Sequence, residues 1–486
     1  MKRFTVPLLL ILLSGIIAIS SADSISVKVN AFSYIFSVSG NLHSVIYEES
    51  RLSKPVRISS SDSDIISLTP EHHDSYLSET TPAYQIAEND SQSVISFRYI
   101  GESYTFVKQF CISKFTNTVT ICCLTASGTD STASTKIALN VALNKIQHEH
   151  YKFISIDNRN KKVFSLNKNS SQPITSSDWM GIRSRFTTIL LRSDSDTLVL
   201  KHYNDSSIHF SGTISENDTL TCLVYAGPVK YSILRNIGNN AERLMFSLWF
   251  WMRWFSLGIL YLFDFLTTLS GNLLIAIILL SICVKIILSP LFHIADKWQK
   301  KVNYQNNIIQ PRIAEIKKHY KGEEQTRRII ALHKEIGISP LYSLKSLLSA
   351  AIQIPIFFAA YHALSEHYAL FQSSAGFIAD LSQADGLLPL PVTLPVLGNA
   401  INILPFVMTS ITFASSWLHT DTSMSAVMLK KQRTNLYGMA LLFFVLLYTS
   451  PAGMVIYWTM NNLLAFLSTV FSSFLHHRHQ QIHKRN

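Results

Sequence analysis

The 486-residue chain has no GxxxxGK[ST] loop, no HExxH, no GxSxG and no paired CxxC. Nothing in it invites a nucleotide, a hydrolytic metal or an activated nucleophile, so no cofactor and no enzymatic activity are expected. Charge is also missing where it matters. Neither lysine nor arginine occurs between residues 366 and 400. Five apolar stretches, at about 270–291, 344–364, 398–418, 436–450 and 454–475, contain no Asp or Glu. Runs of this kind read as membrane spans rather than as a soluble core. No internal repeat relates one half of the chain to the other, which weighs against a transporter built by duplication. Cysteine is sparse. Cys111, Cys122, Cys123 and Cys222 fall in residues 23–240, and Cys283 falls in an apolar stretch. Buried free thiols are expected here more than a disulfide framework, although an exported domain would permit a bridge. On a strand, the adjacent Cys122 and Cys123 point to opposite faces.

What is present is unevenly distributed. The net charge of +11 and a positive mean hydropathy of +0.21 coexist. The basic residues cluster in short loops beside apolar stretches, which argues for a membrane and against nucleic acid. The N-terminus, MKRFTVPLLLILLSGIIAISSADS, is either a cleaved signal peptide or a short uncleaved anchor over residues 1–22. Residues 23–240 are polar and alternate with period two in ISVKVNAFSYIFSV (25–38), SVISFRYI (93–100), YTFVKQFCIS (104–113), TNTVTICCLT (116–125) and TLTCLVYAG (219–227). Turn-rich clusters separate these runs, so an antiparallel β-sandwich is expected. Residues 241–269, rich in tryptophan and phenylalanine with Arg243, Arg253 and Asp264, read as an amphipathic helix lying at the membrane interface.

Residues 270–291 form a span, and residues 292–343 are strongly basic. In the latter, Val302, Ile309, Ile313, Ile316 and Tyr320 keep a heptad-like spacing. Gly322 interrupts it, and Ile329, Leu332 and Ile336 resume it, which predicts a short antiparallel helical hairpin. Four further spans are expected within 344–475, with a basic loop at 419–435 and a basic tail at 476–486. The tail histidines His476, His477, His479 and His483 either bind metal or add weak positive charge beside anionic lipid or RNA. The positive-inside rule then places the N-terminus, the hairpin, the 419–435 loop and the tail in the cytoplasm, and the sandwich outside. The expected fold is a polytopic α-helical membrane protein with an exported antiparallel β-sandwich. It has six crossings, or five if the first is cleaved.

Lys285 is the one charge inside its span, GNLLIAIILLSICVKIILSPL (271–291). A charge at depth costs several kcal/mol and marks a water-lined functional site by default. Alternatively it snorkels, since it lies about six residues, roughly 9 Å, from the end of the span. Ser281 sits one turn before it on the same face. Gln353, Asn402, Thr409, Thr412, Asn461 and Asn462 are the other polar residues at depth. They serve either as interhelical hydrogen-bond partners or as the lining of a wet cavity around Lys285. No carboxylate within the later spans is available to pair with the lysine.

Several segments resemble the YidC/Oxa/Alb family of membrane protein insertases, in the form found in Gram-negative bacteria. They are SSDWMGIRSRFTTILL (176–191), VYAGPVKYSIL (224–234), VKIILSPL (284–291), IIQPRIAEIKKHY (308–320), IQIPIFFAAY (352–361) and SPAGMVIYWTMNNL (450–463). The resemblance implies a five-helix insertase core in the bacterial inner membrane. It also implies a hydrophilic groove open to cytoplasm and lipid, and a charged residue in that groove that attracts acidic client stretches. Lys285 matches that residue, which is an arginine in the family. Ser281, Gln353, Pro355 and the aromatic pair Tyr457 and Trp458 match groove-side or client-path positions. The implied partners are nascent membrane proteins, the Sec translocon, the ribosome and membrane lipids. The segment SPLYSLKSLLSA (339–350) departs from the family pattern. A small-solute channel or transporter with an exported sensor domain is the competing reading. A periplasmic binding or chaperone module on a bare membrane anchor is a third, and it has no need of Lys285.

Overall fold

A computed structural model describes residues 24–48, 55–59, 64–70, 82–100, 104–127, 137–144, 151–157, 162–165, 178–193, 199–203, 207–214, 219–245, 250–338, 348–394, 398–418 and 426–483. The expected anchor or signal at 1–22, most of the atypical 339–350 segment, the first part of the 419–435 loop and the side chains of the tail histidines lie outside the described residues. The chain divides into two compact units, Met1–Ser247 and Leu248–Asn486.

Alternating apolar residues in the first unit build two antiparallel sheets. The nine-stranded sheet runs Lys162–Ser165, Lys152–Asp157, Trp179–Arg183, Thr187–Ser193, Thr219–Pro228, Val119–Ser127, Tyr104–Ser113, Gln92–Ile100 and Ala83–Glu88. The eight-stranded sheet begins with Ser24–Val29, Phe32–Ser37 and Leu42–Tyr47, and ends with Ser207–Ile214 and Val199–Tyr203. Their inner faces meet through aromatic rings. Phe36 of one sheet packs 4.9 Å from Phe110 and 5.9 Å from Phe97 of the other. Period two therefore becomes a dry interior, as expected for a sandwich. Cys122 and Cys123 do face opposite sides. Cys123 and Cys222 are buried, Cys111 and Cys122 are half-buried, and all are free thiols. The segment that begins at Trp179 depends on a glycine. A Cβ on Gly181 would lie 1.9 Å from the carbonyl oxygen of Ile189 on the paired strand. The strand Thr219–Pro228 leads into helix α1 (Tyr231–Ile237) and a 3₁₀ turn at Ala241–Leu244.

One core position of the sandwich carries charge. Lys108, on the strand Tyr104–Ser113, is 3% exposed. Its Nζ lies 2.9 Å from Asn41 Oδ1 and 5.0 Å from the centre of the Tyr99 ring. Burial holds its ammonium well below the ordinary range, at about 8.

The second unit is helical. Helix α2 spans Phe250–Ser270, α3 Leu273–His319, α4 Gly322–Ile336, α5 Leu348–Ser365, α6 Ile403–Leu418, α7 Ala426–Leu447 and α8 Ala452–His483. Two of them, α3 and the Ala452–Phe471 part of α8, are long and apolar enough to cross a membrane, and α6 is a shorter apolar helix.

Several expectations are corrected. The interfacial helix begins at Phe250, not 241, because residues 241–244 form the 3₁₀ turn of the first unit. Nor is it amphipathic in the usual sense. Leu257, Leu260, Phe263 and Leu266 are buried, yet Trp254, Phe255, Tyr261, Phe265 and Leu269 are exposed, so its outer face also demands an apolar medium. The span at 270–291 and the first hairpin arm are one 47-residue helix, α3, which accommodates Pro290 and Pro311. The basic residues Lys430, Lys431 and Arg433 lie in the first turns of α7 rather than in a loop, and α8 continues past residue 475 to His483. Residues Gly398–Ile401 pair with Leu388–Leu394 as a short strand, so the helix expected from 398 starts at Ile403.

The hairpin arms, α4 and the second half of α3, close around Val302, Ile309, Leu332 and Ile338, with Ile313, Ile316 and Ile336 against them. These are largely the residues picked out by the heptad spacing. Gly337 ends α4 in the left-handed region, at φ 70°, and its N–H bonds back to His333 and Lys334.

Lys108 generates a test of pH dependence. The unfolded chain holds the lysine proton up to an ordinary pKa of 10.5, whereas the folded chain holds it only to about 8. Between those values the unfolded state binds more protons, so this residue's contribution to stability improves as pH rises. Replacing Lys108 by Met removes the effect. The stability of the wild type relative to Lys108→Met is therefore expected to rise by on the order of 3 kcal/mol across that window, at about 1.4 kcal/mol per pKa unit. Denaturant unfolding of the full chain, followed by the far-ultraviolet circular dichroism of its β-sheets, measures it. A difference that does not change with pH contradicts a buried, titrating Lys108.

Candidate functional site

Helix α3 is started by Asn272, whose side chain accepts hydrogen bonds from the N–H groups of Leu274 at 2.9 Å and Ile275 at 3.2 Å. The apolar run then carries the helix to Lys285. Ser281, one turn earlier, is fully buried and donates to the Ile278 carbonyl at 2.7 Å. Its hydroxyl is satisfied within its own helix and does not line the cavity described next.

Lys285 is only half-buried. It borders a cavity of about 360 Å³ between α3, α5 and α8. Gln353, Tyr457, Trp458, Asn461 and Asn462 share that cavity, with Val284, Leu288, Phe292, Ile356 and Ala465 as its apolar surface. The lysine Nζ donates to the backbone carbonyl of Asn461 at 3.4 Å. Among the described residues that is its single hydrogen bond, whereas an ammonium has three donors. Two donors remain, and Lys285 is part of the cavity lining. They can be satisfied by water or by an anionic group, and a hydrocarbon environment would satisfy neither.

The neighbouring amides are committed in different ways. Asn461 Nδ2 donates to the Tyr457 carbonyl at 3.1 Å, one turn back on α8. Asn462 Nδ2 donates to Thr412 Oγ1 at 2.9 Å and so ties α8 to α6. Trp458 makes the cavity wall rigid. Its ring lies 4.8 Å from Phe357 of α5, edge on, and 5.1 Å from Phe443 of α7, stacked. Exposed aliphatic residues cover the outer surfaces of the same helices, including Ile286 and Ile287 on α3 and Leu441 and Leu442 on α7.

One end of this helical group is covered. Residues 366–394 and 398–402 pack over the beginning of α8. The N–H of Ala452 bonds to the Gln383 carbonyl at 2.6 Å, and that of Gly453 to the Leu381 carbonyl at 2.9 Å. Gly453 permits this approach, because a Cβ there would lie 3.2 Å from Leu370 Cδ1 and 3.3 Å from the Leu381 carbonyl oxygen. Asp385 caps α6 by accepting from the N–H groups of Ile403 and Leu404. Asn402 Nδ2 donates to the Tyr448 carbonyl at 2.7 Å. Asn402 is thus a structural clamp, and Thr409 and Thr412 each donate one turn back along α6. The same segment holds α2. His367 accepts at Nδ1 from the Ala369 N–H at 3.2 Å, which leaves Nε2 protonated to donate to Asp264 of α2 at 3.0 Å.

Of the six residues singled out from the sequence, Lys285, Gln353, Tyr457 and Trp458 meet around one cavity. Ser281 and Pro355 do not reach it. Asn461 and Asn462, offered by the sequence either as interhelical partners or as lining of a cavity around Lys285, also border it. Asp296 escapes the sequence reading. It lies beyond the span that ends at 291, yet it lines the same cavity. A signal exists in the helical spacing. Eleven residues are just over three turns, which returns Asp296 to the face of Lys285.

Apolar helices enclosing a polar, lysine-bearing cavity define a helical membrane protein with a hydrophilic site among its helices. Residues 265–479 match the family described as "60Kd inner membrane protein". Proteins called membrane protein insertase YidC are similar to this chain. The one from Chloroherpeton thalassium is 26% identical over 60% of this chain and 52% of its own length. That from Neisseria gonorrhoeae is 31% identical over 50% of this chain and 40% of its own. The chain thus spans about half the length of the curated relatives it matches. A solved structure described as an active YidC insertase with its first transmembrane domain resolved aligns over 93% of each chain, at 17% identity and a TM-score of 0.35. The family match covers most of the helical unit, where the motifs from residue 284 onward lie.

The packing around the cavity predicts a graded response to truncation. Trp458 is 6% exposed, and Phe358, on the outer side of α5, is 45% exposed. Trp458→Ala is expected to cost about 3–5 kcal/mol of stability. Phe358→Ala should cost far less in detergent or lipid, because its ring leaves one apolar medium for another. Thermal unfolding of both variants in the same detergent compares them, and equal losses contradict the packing described for Trp458.

Proposed function

We propose that this protein is an insertase that moves hydrophilic stretches of nascent membrane proteins into the bacterial inner membrane through the groove around Lys285. The observation that carries the proposal is the position of Lys285. It borders a cavity shared by Gln353, Tyr457 and Asn461 while the outer faces of the same helices are aliphatic. Such a cavity replaces part of the hydration that a client's polar stretch loses at the membrane. The lysine attracts the acidic residues in that stretch. The client's apolar segment then moves to lipid along the neighbouring helices, and its burial supplies about 25 cal/mol per Å², so no nucleotide is needed.

In this reading α3, α5, α6, α7 and α8 are the five spans. The hairpin and C-terminus lie in the cytoplasm, and the β-sandwich is exported. Helix α2 lies in the lipid interface, which its apolar outer face supports. The segment 366–402 is free of lysine and arginine, and its Leu381 and Gln383, bonded to the start of α8, close the exported side. That closure favours an insertase over a solute channel, which needs a continuous path. The basic hairpin receives clients or the ribosome. The Sec translocon is a partner for larger clients, and membrane lipids flank the groove.

Lysine at this position retains charge without the planar fork of arginine. Attraction of client carboxylates by charge alone predicts that Lys285→Arg inserts normally, whereas Lys285→Glu loses most insertion of a client with a short acidic exported tail. Protease protection of that client, after depletion of the endogenous protein and expression of each variant, measures both. Equal insertion by the two variants removes Lys285 from the mechanism.

A further inference from the structure

Resting on that insertase reading, we infer that Asp296 is a specificity residue: with Lys285 it makes the groove dipolar, so that it selects client stretches whose acidic residue enters first and whose basic residue follows. Both side chains border the same cavity, and they lie on the same face of α3. Leu288 and Phe292 lie between them and leave an apolar floor from one charge to the other. Asp296 is the only acidic residue between Asp264 and Glu315. It is exposed, and it precedes a run of lysines at 297, 300 and 301. A mouth built only to attract acidic clients would carry no carboxylate at this point.

The two charges form no ion pair with each other. Their backbone positions are eleven residues of helix, a rise of about 16 Å, apart. That backbone separation is about two screening lengths at physiological salt, which weakens their attraction in a water-filled groove. Lys285 sits at depth and Asp296 at the end continuous with the cytoplasmic hairpin. A client in extended form covers the same span with about five residues, at roughly 3.3 Å each. The matching client therefore carries an Asp or Glu and, about five residues nearer the cytoplasm, a Lys or Arg. The same residue pair with the second charge acidic meets repulsion at Asp296.

The test uses the full chain in liposomes of phosphatidylethanolamine and phosphatidylglycerol, with two single-span clients. They share one acidic residue in the translocated tail and differ only in a Lys or Glu placed five residues nearer the cytoplasm. The readout is the ratio of protease-protected Lys client to Glu client, which cancels any loss of folded insertase. The wild type is expected to prefer the Lys client by up to about fivefold, the reach of a solvent-exposed charge pair. Asp296→Asn should bring the ratio close to that of a neutral mouth, and Asp296→Lys should reverse the preference. A ratio unchanged by both substitutions overturns the role of Asp296 and leaves the insertase reading intact. Failure of the wild type to insert either client overturns the insertase reading, and the specificity proposal with it.

Discussion

An ammonium group placed among aliphatic helices must keep its donors satisfied, and the helical half of the molecule is organised around that requirement. Lys285 spends one hydrogen bond on the Asn461 carbonyl and borders a cavity. The cost of dehydrating an uncompensated charge is several kcal/mol, larger than any single interhelical hydrogen bond here can offset. A cavity that meets this need has polar groups in its lining, here Gln353, Asn461 and Asn462, and is stiff enough not to collapse. Stiffness comes from the aromatic contacts of Trp458 and from the Asn462–Thr412 bond between α8 and α6. The beginning of α8 is held by the backbone bonds of Ala452 and Gly453 to Gln383 and Leu381.

The sandwich poses the same problem in a different medium. Lys108 is a cation inside a protein core, with Asn41 as acceptor and the Tyr99 ring beneath it. Its pKa falls because burial strips water from the ammonium and the acceptor bonded to it is neutral. The two lysines differ in their surroundings. Lys285 borders a cavity, whereas Lys108 is enclosed by the sandwich core.

Much of this architecture is legible in the amino-acid order. Period-two alternation announces the sandwich, because a strand with one buried face leaves no other pattern. The heptad spacing names most of the hairpin core, with Val302, Ile309 and Leu332 at its centre. Lys285 stands out because a charge in an apolar run is costly wherever the run is placed. Element boundaries are the part that hydropathy misplaces. It ends a span where the charges begin, but the helix does not end there, so α3 runs through to His319 and α8 to His483. That misplacement hides Asp296 by assigning it to a different element. Ser281 and Pro355 are marked by sequence position alone. Which face of a helix meets a cavity depends on its neighbours, and Ser281 turns to its own backbone instead.

The groove at Lys285 is proposed to be wet and to open to the cytoplasm only. Lys285→Cys tests this most directly in a background where Cys111, Cys122, Cys123, Cys222 and Cys283 are all replaced by Ser, with a charged, membrane-impermeant thiol reagent added to sealed vesicles of either orientation. Thiol alkylation requires water at the site, because the reactive species is the thiolate. The account predicts labelling when the cytoplasmic face is exposed to the reagent and protection when the exported face is exposed. No labelling from either face, or labelling from the exported face, would contradict it.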